Sequence, residues 1–554
     1  MAGQPAHLVP CGNPVMRLLI HTLLLAAILA AQPSAKQAEV DRIYSAFNTH
    51  TPGCAVGVAH HGKIVLRSGY GMADLERNVA ITPGTIFESG SVAKQFTAAA
   101  LMLLAQQGKI SLDDPMRKYL PELADYGPAL TIRHVLSHLS GLREWRPIAA
   151  FGGYPEGTYV YTNQDLLQMA AQQRALNFDP GTHYSYTNTG FNISTILIER
   201  VAGKSFQAFT QEAIFGPLDM THTRWRDDFR AVVPNRALAY GPARGSNWIQ
   251  QTPIENIIGA GGLLTNVGDL LLWNENYTHA KVGGPDLVKA QQTPATLSSG
   301  RAITYAAGLT VGSFDGVGEV SHSGSTGGYR TWLARYPDQG VSVAVMCNSA
   351  QANPTRLGHE TARLWTGTTP AKRPAAYAVD AAKLQALAGM YRKVRDNTVA
   401  NLRVKDEKLI LDPGGIELTP AGPGKFLASA GELQLEVEEG STPIRLREVT
   451  PNGDVVFERV EPVQPTKAEL AELVGEYASR ETGTTLTVTM GIKPGELAYR
   501  LGSATPVTLR PTFRDGFMTS SGSSIRFIRD SFAKVNALSA GEDRVWDLRF
   551  TRVH

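Results

Sequence analysis

"FESGSVAKQFTAAALMLLAQQGKI", residues 87–110, decides the fold. From Ser91 to Gln107 the stretch is almost uniformly apolar, and Gly108 closes it as a helix stop. A helix that is apolar on every face is a buried central helix. Lys94 stands one turn from its start, where a charge is expensive to bury. Ser91 and Lys94 are three residues apart and share one helix face. Ser91 also sits where backbone N–H groups and the helix dipole favour developing negative charge. A desolvated lysine gives up its proton readily and activates a serine. The alternative is an N-cap serine beside a lysine that snorkels to water. Ser-x-x-Lys alone is weak, since it recurs at Ser531–Lys534 in a polar, hairpin-like context without a buried helix.

Outward from this helix, residues 54–70 alternate apolar and polar around "HHGK", which predicts a hairpin with His60–Gly62 at its tip. Residues 91–275 are mostly helical in period. Residues 318–347 return to strands in "GEVSHSG", "YRTWLARYP" and "GVSVAVMCNS". Strands from both ends bracketing a helical middle predict an α/β (α+β) domain, with one antiparallel sheet flanked by helices. Cys54 and Cys347 lie in the apolar runs "CAVGVAH" and "VSVAVMC" and read as buried free thiols. A bridge stays open if the first and last strands are neighbours.

Near residue 367 "TGTTPAKRPAAYAVD" has linker composition. Beyond it an internal repeat begins at Leu384 and again at Leu470, with Tyr391 aligned on Tyr477, 86 residues on. Each copy runs from a short helix through Gly-x-Tyr into short strands, which predicts two small all-β barrel domains. The expected division is a signal segment at 1–35, a catalytic domain at 36–368, and barrels at 369–463 and 464–554. A domain bracketed by its own strands is expected to fold without residues 375–554.

The chain has 554 residues, 43% hydrophobic and 19% charged, which fits several globular domains. A net charge of +3 without a Lys/Arg block gives no case for nucleic acid as a partner. Leu18–Ala31, "LLIHTLLLAAILAA", follows Arg17 and is short for a membrane span. It reads as a secretory signal cut near Ala31, with Met16 an alternative start, and implies a periplasmic or secreted protein. An uncleaved anchor is the other reading. Cys11 has no apolar run before it, which argues against a lipid anchor there.

Two further motifs occur twice. Tyr-Thr-Asn appears at 161–163 and at 186–188. In the first copy Thr162 and Asp165 form a capping box for "NQDLLQMAAQQRAL", which explains them without chemistry. The second follows the turn "FDPGT" and opens a helix ending near Gly203. His-x-Gly appears at the hairpin tip and again in "HSGSTGGYR", where His322 and Gly324 end a strand. Gly324 there would let a substrate backbone lie against the strand edge. His134 and His138 have metal-like spacing but lack a third ligand, so they read as structural.

Taken in order, "SVAK", "YTN" at 186–188 and "HSG" resemble the three active-site motifs of serine β-lactamases and penicillin-binding-type hydrolases, class C branch. "TIRHVLSHLSGL", "FDPGTHYSYTNTGF" and "GAGGLLTNVGDLLLW" are similar to segments of that branch, over roughly residues 38–365. A histidine in place of the usual lysine of Lys-Thr-Gly, two C-terminal β-domains, and "SVAKQFT", "SGLREW" and "PGTHYSYTN" resemble the D-stereospecific aminopeptidase subgroup. The resemblance selects Tyr186 and Asn188 and leaves Tyr161 as a helix-entry residue.

The resemblance implies a serine hydrolase acting on a small peptide, amide or ester, with no cofactor and no metal. Ser91 would attack the carbonyl, while Lys94 and Tyr186 share proton transfer. Asn188 would orient substrate or Lys94. The oxyanion would sit between the backbone N–H groups of Ser91 and Ser325, beside Gly324. Lys94 and His322 are the expected cations that make the Tyr186 phenol more acidic. A mostly neutral His322 should disfavour substrates with a carboxylate beside the scissile bond. The rival reading is a penicillin sensor or a binding or assembly protein that does not turn over, and a DD-carboxypeptidase or β-lactamase also stays open. The oligomeric state is not legible.

Overall fold

The computed structural model describes residues 3, 35–127, 129–243, 245, 248–370, 377–428 and 433–553. The apolar run at 18–31, with Cys11, Met16 and Arg17, lies outside them, as does the 371–376 part of the linker. Residues 1–46 and 47–554 form two separate units. In the first, the helix is α1, Ala35–Ile43. Among the described residues no helix is long and apolar enough to cross a membrane.

In the second unit the hairpin β1 (Cys54–His60) and β2 (Lys63–Tyr70) turns at His61 and Gly62, both at positive φ, as the "HHG" reading expects. Four strands from the far side of the helical region complete the sheet: β3 (Thr310–Phe314), β4 (Val317–Thr326), β5 (Tyr329–Tyr336) and β6 (Val341–Cys347). The order is β3-β4-β5-β6-β1-β2, antiparallel throughout. Both faces are covered. Gly57, Ala344 and Leu333 lie in one cross-strand row, and a Cβ on Gly57 would stand 3.0 Å from Leu271 of α6 (Val267–His279). The next row, Val56, Val345 and Trp332, faces α7 (Pro354–Thr366), where a Cβ on Gly358 would meet the Trp332 ring. This double cover is why "CAVGVAH" is apolar without interruption and buried along nearly its whole length.

Cys54 and Cys347 are cross-strand partners of β1 and β6, with Cα atoms 4.0 Å apart, and they form a disulfide. The free-thiol expectation is corrected by this register. Strands 293 residues apart in sequence are neighbours in the sheet.

The apolar helix is α2, Lys94–Gln106, buried on most of its surface and ended by Gly108 at φ +69°. It begins later than expected. Gly90–Ala93 form a 3₁₀ turn, so Ser91 precedes the α-helix proper. The tight turn lies against β4, where a Cβ on Gly90 would come within 2.5 Å of Ser325 N. Against α2 packs α5 (Thr189–Ala202), closed by Gly203 in the left-handed region, and behind it α4 (Asn163–Gln172) packs on α5 and α3 (Trp145–Phe151) on α4.

The repeat is two closed eight-stranded barrels, with strands spanning 389–460 and 475–552. Each is preceded by a seven-residue helix, Ala381–Leu387 or Lys467–Leu473. The aligned tyrosines do the same thing in both. The Tyr391 hydroxyl donates to Leu387 O and that of Tyr477 to Leu473 O, each at 2.8 Å. Arg459 and Arg552 in turn donate to the carbonyls of Ala386 and Glu472. The 86-residue spacing therefore repeats a helix-to-strand clamp.

The barrels are not detached from the catalytic fold. Ile148 and Phe151 of α3 belong to the apolar core of the second barrel, with Tyr477 and Phe550. Arg143 reaches into that barrel and pairs with Glu481 at 2.6 Å. From the first barrel, Asn452 Oδ1 accepts from the backbone N–H groups of Thr304 and Tyr305, and Asp454 pairs with Arg301 at 2.8 Å. These contacts run against the expectation of an independently folding catalytic segment.

Candidate active site

Lys94 is fully buried, and its Nζ has three neighbours: Asn188 Oδ1 at 2.7 Å, Ala260 O at 3.0 Å and Ser91 Oγ at 3.0 Å. Two of these are carbonyl oxygens, which only accept. They take two N–H bonds. The third position faces a hydroxyl, which either accepts from an ammonium or donates to the lone pair of a neutral amine. Burial drives the Lys94 pKa well below its usual value, and the Glu144 carboxylate opposes that shift. The neutral amine is thereby brought within reach.

Asn188 is held by a residue that sequence reasoning did not single out. Glu144, 3% exposed, accepts from Asn188 N at 2.6 Å and from Asn188 Nδ2 at 2.9 Å. Because Nδ2 donates to Glu144, Oδ1 must face Lys94. Glu144 lies in "SGLREW", a segment noticed only for its resemblance. Its neighbour Arg143 carries the buried pair to Glu481.

Tyr186 stands beside both Ser91 and Lys94. Lys94 Nζ is 4.7 Å from the centre of its ring. Burial raises the phenol pKa, while the hydrogen bond with Ser91 and the nearby Arg544 and Arg146 lower it. Arg544 is the second residue missed from sequence. It comes from the tight turn between the last two strands of the second barrel, and its guanidinium lies 4.9 Å from the Tyr186 ring centre. No spacing rule links position 544 to 186; only the packing of the barrel does.

His322 does not play the expected cationic part. Its Nδ1 lies 2.6 Å from Ser323 O, so this nitrogen must carry the proton. Its Nε2 then accepts from the Tyr305 hydroxyl at 2.9 Å. At the other end, Thr187 N–H donates to His138 Nδ1 at 3.2 Å, so His138 Nε2–H donates to Tyr305 Oη at 3.1 Å. Backbone groups at both ends thus fix every proton in a chain of neutral side chains. A second proton on His322 would oppose Tyr305. Burial pushes the His322 imidazole down to about 4, and the charge of Lys94 acts in the same direction. The cation over Tyr186 is Arg544 instead.

Gly324 also differs from expectation. A Cβ there would lie 2.0 Å from Ser89 O and 3.1 Å from Ser91 N, so its bareness admits the nucleophile segment. The same closeness, with Gly90 against Ser325 N, sets the Ser91 and Ser325 amides on facing segments. Beyond Ser321, β4 has no partner on its β3 side among the described residues, and Ser323, Ser325 and Thr326 line the cavity there. This cavity, about 500 Å³, also takes in Ser91, Tyr186 and Arg544. Glu255 lines it too, its carboxyl pushed up to about 7 by burial against the pull of Arg146 and Arg226.

The other motif copies lie elsewhere. Thr162 and Asp165 form the expected capping box, and the Tyr161 hydroxyl donates to Tyr154 O. Ser531 and Lys534 sit in the turn between two barrel strands. His134 caps a short helix through Thr131, and His138 serves the hydrogen-bond chain above. Among the described residues no group of three or more His, Cys, Asp or Glu is placed to hold a metal.

A family model described as Beta-lactamase matches residues 40–366. The chain belongs to the Beta-lactamase family. Within that family it is similar to the D-aminopeptidase of Gluconobacter oxydans (strain 621H), 29% identical over 303 residues, 54% of this chain and 56% of that protein. It is also 30% identical to the D-aminopeptidase of Brucella ovis over 54% of this chain and 57% of that one. The chain thus spans about half the length of the curated relatives it matches. A solved structure, the octameric penicillin-binding protein homologue from Pyrococcus abyssi, superposes with a TM-score of 0.53 at 21% identity, over 89% of this chain and 99% of that one. This last likeness concerns the Beta-lactamase fold.

Proposed function

We propose that this chain is a serine hydrolase that cleaves an amide or ester through an acyl-enzyme on Ser91, with D-aminoacyl amides and short D-peptides as its substrate class. One observation carries the chemistry: two of the three neighbours of the buried Lys94 amine only accept, and the third is the Ser91 hydroxyl. Burial pushes the amine and the phenol apart, Lys94 down and Tyr186 up. Both shifts favour the neutral forms, the arrangement of a base beside an acid. Lys94 takes the Ser91 proton as Oγ attacks the carbonyl. The oxyanion lies toward the amides of Ser91 and Ser325. Tyr186 gives its proton to the leaving amine or alcohol and is reprotonated from Lys94. Water entering from the cavity repeats the sequence in reverse and releases the acid.

The aminoacyl preference is supported by the relatives and by the surplus of carboxylates at the cavity wall, where one guanidinium, that of Arg146, is shared among Glu144, Glu156 and Glu255. We further propose a secreted or periplasmic location. The Cys54–Cys347 disulfide, of a kind that persists in oxidising compartments, supports it.

The test is a panel crossing D- and L-alanyl p-nitroanilides, free and N-acetylated amines, and the corresponding esters. The D-configured free amine should be cleaved fastest. Equal rates for D and L forms would overturn the stereochemical assignment, and turnover that survives Ser91→Ala would overturn the mechanism.

A further inference from the structure

The cavity holds one cation that no carboxylate among the described residues neutralises. Lys94 spends its contacts on Asn188, Ala260 and Ser91. Arg146 lies among Glu156 at 2.9 Å, Glu144 at 3.3 Å and Glu255 at 3.9 Å. His322 is held neutral by Tyr305 and Ser323. Arg544 alone, among the described residues lining the cavity, has no carboxylate within ion-pair distance, and its guanidinium rests on the face of Tyr186.

Everything else about Arg544 is fixed. It sits in a two-residue turn, since Glu542 pairs with Val545 across the hairpin. Its carbonyl accepts from Asn177 Nδ2 at 3.0 Å and from Glu144 N at 3.3 Å. On one side Asp543 is gripped by Arg395 and Lys393 of the first barrel. On the other, Trp546 N donates to Asn177 Oδ1 at 3.0 Å and its ring packs on Phe178. A turn clamped from four directions presents one unoccupied guanidinium, the pre-organisation that anion recognition requires.

The side of the scissile bond follows from the chemistry. Tyr186 neighbours Ser91 and is the proton donor to the leaving atom, so the leaving group must lie against Tyr186. A guanidinium on that ring stands on the leaving side. We propose that Arg544 is a specificity-determining residue that receives a carboxylate on the leaving group, so the preferred substrates are peptides or esters whose leaving amine or alcohol carries an acid next to the scissile bond. The assignment rests on the hydrolase reading above. A neutral third motif on its own predicts the reverse preference. Arg544 restores, from another domain, the charge that His322 lacks.

The experiment compares kcat/KM for D-alanyl-glycine and D-alanyl-glycinamide in the wild type, Arg544→Gln and Arg544→Glu. One charge-assisted hydrogen bond is worth roughly a ten- to hundred-fold preference. The wild type should favour the acid by that factor, mainly through KM. The ratio should collapse in Arg544→Gln and invert in Arg544→Glu. A ratio near one in the wild type, or an unchanged ratio in Arg544→Gln, overturns the assignment. If neither dipeptide is turned over, the D-aminoacyl reading falls, and a second measurement decides on Arg544. N-acetylglycine should then slow fluorophosphonate labelling of Ser91 at least roughly ten-fold more than N-acetylglycinamide in the wild type but not in Arg544→Gln. Equal protection by the two, or none, overturns it.

Discussion

Glu481→Ala asks whether the second barrel completes the catalytic fold. The side chains of Arg143 and Glu481 are 2% and 9% exposed and lie 2.6 Å apart. Arg143 also donates to Gln173 Oε1 at 3.1 Å and to Asp547 O at 2.5 Å, but both are neutral acceptors. Removing the carboxylate leaves a guanidinium buried without a counter-charge, at a cost of about 3–5 kcal/mol. Arg174 N, which donates to the same carboxylate at 2.8 Å, loses its acceptor as well, for about 1–3 kcal/mol more if no water replaces it. The expected loss is therefore at least about 3 kcal/mol, from a residue more than 300 positions away from the motif it supports. Urea unfolding followed by tryptophan emission reads it directly, because Trp145 is buried two residues from Arg143. Arg143→Met with Glu481→Leu should recover most of the loss, since the apolar pair leaves no charge behind. The damage should also reach the site. Glu144, next in sequence, orients Asn188, so labelling of Ser91 by a fluorophosphonate should slow in Glu481→Ala under conditions where the chain is folded. Unfolding of Glu481→Ala at the wild-type urea concentration, with labelling at the wild-type rate, would refute the idea that the barrel is integral.

Three further outcomes are expected. A fluorophosphonate should label Ser91 and not Ser531, and Tyr186→Phe should lower turnover by roughly 10²–10⁴-fold while Tyr161→Phe leaves it nearly intact, as steady-state kinetics will show. Acid should destabilise the fold through His322. Its folded pKa of about 4 lies below the ordinary value of 6.5, so the unfolded chain binds more protons in between, and stability present above pH 6.5 is lost as pH falls toward 4. The loss is about 3 kcal/mol, His138 adds to it in the same sense, and His322→Gln should flatten this limb in pH-dependent urea unfolding. Replacing Cys54 and Cys347 together by serine should cost about 2–4 kcal/mol by the same measurement, and thiol titration of the unreduced wild type should find neither of them.

What was legible in the sequence follows distance along the chain. A 3.6-residue period, a capping box and a Gly stop act within a few residues, so α2, the entry to α4 and the end of α5 could be read locally. Strand alternation placed both halves of the sheet, and bracketing alone suggested that they meet. The register that joins Cys54 to Cys347 was not legible, because pairing between strands leaves no mark in either one. The repeat was visible because the Tyr391 and Tyr477 clamps impose the same residues at one spacing.

The site divides along the same line. Ser91 and Lys94 are three residues apart, so their contact is a property of the 3₁₀ turn that opens the helix. Tyr186, Asn188 and His322 came from motif resemblance, which supplied positions but not states. The charge on His322 depends on Tyr305, whose hydroxyl is committed by His138, which is committed by the backbone of Thr187. None of these links has a sequence spacing that signals it. Arg544 is the extreme case: an arginine in a polar hairpin of a β-barrel is an unremarked surface residue until the barrel is docked. The expectation that a neutral third motif disfavours carboxylates was sound for His322 taken alone. It leaves out a cation from another domain, because the cavity's charge is a sum over whatever the fold brings to it, and two of its four charged lining residues, Arg146 and Arg544, are positive.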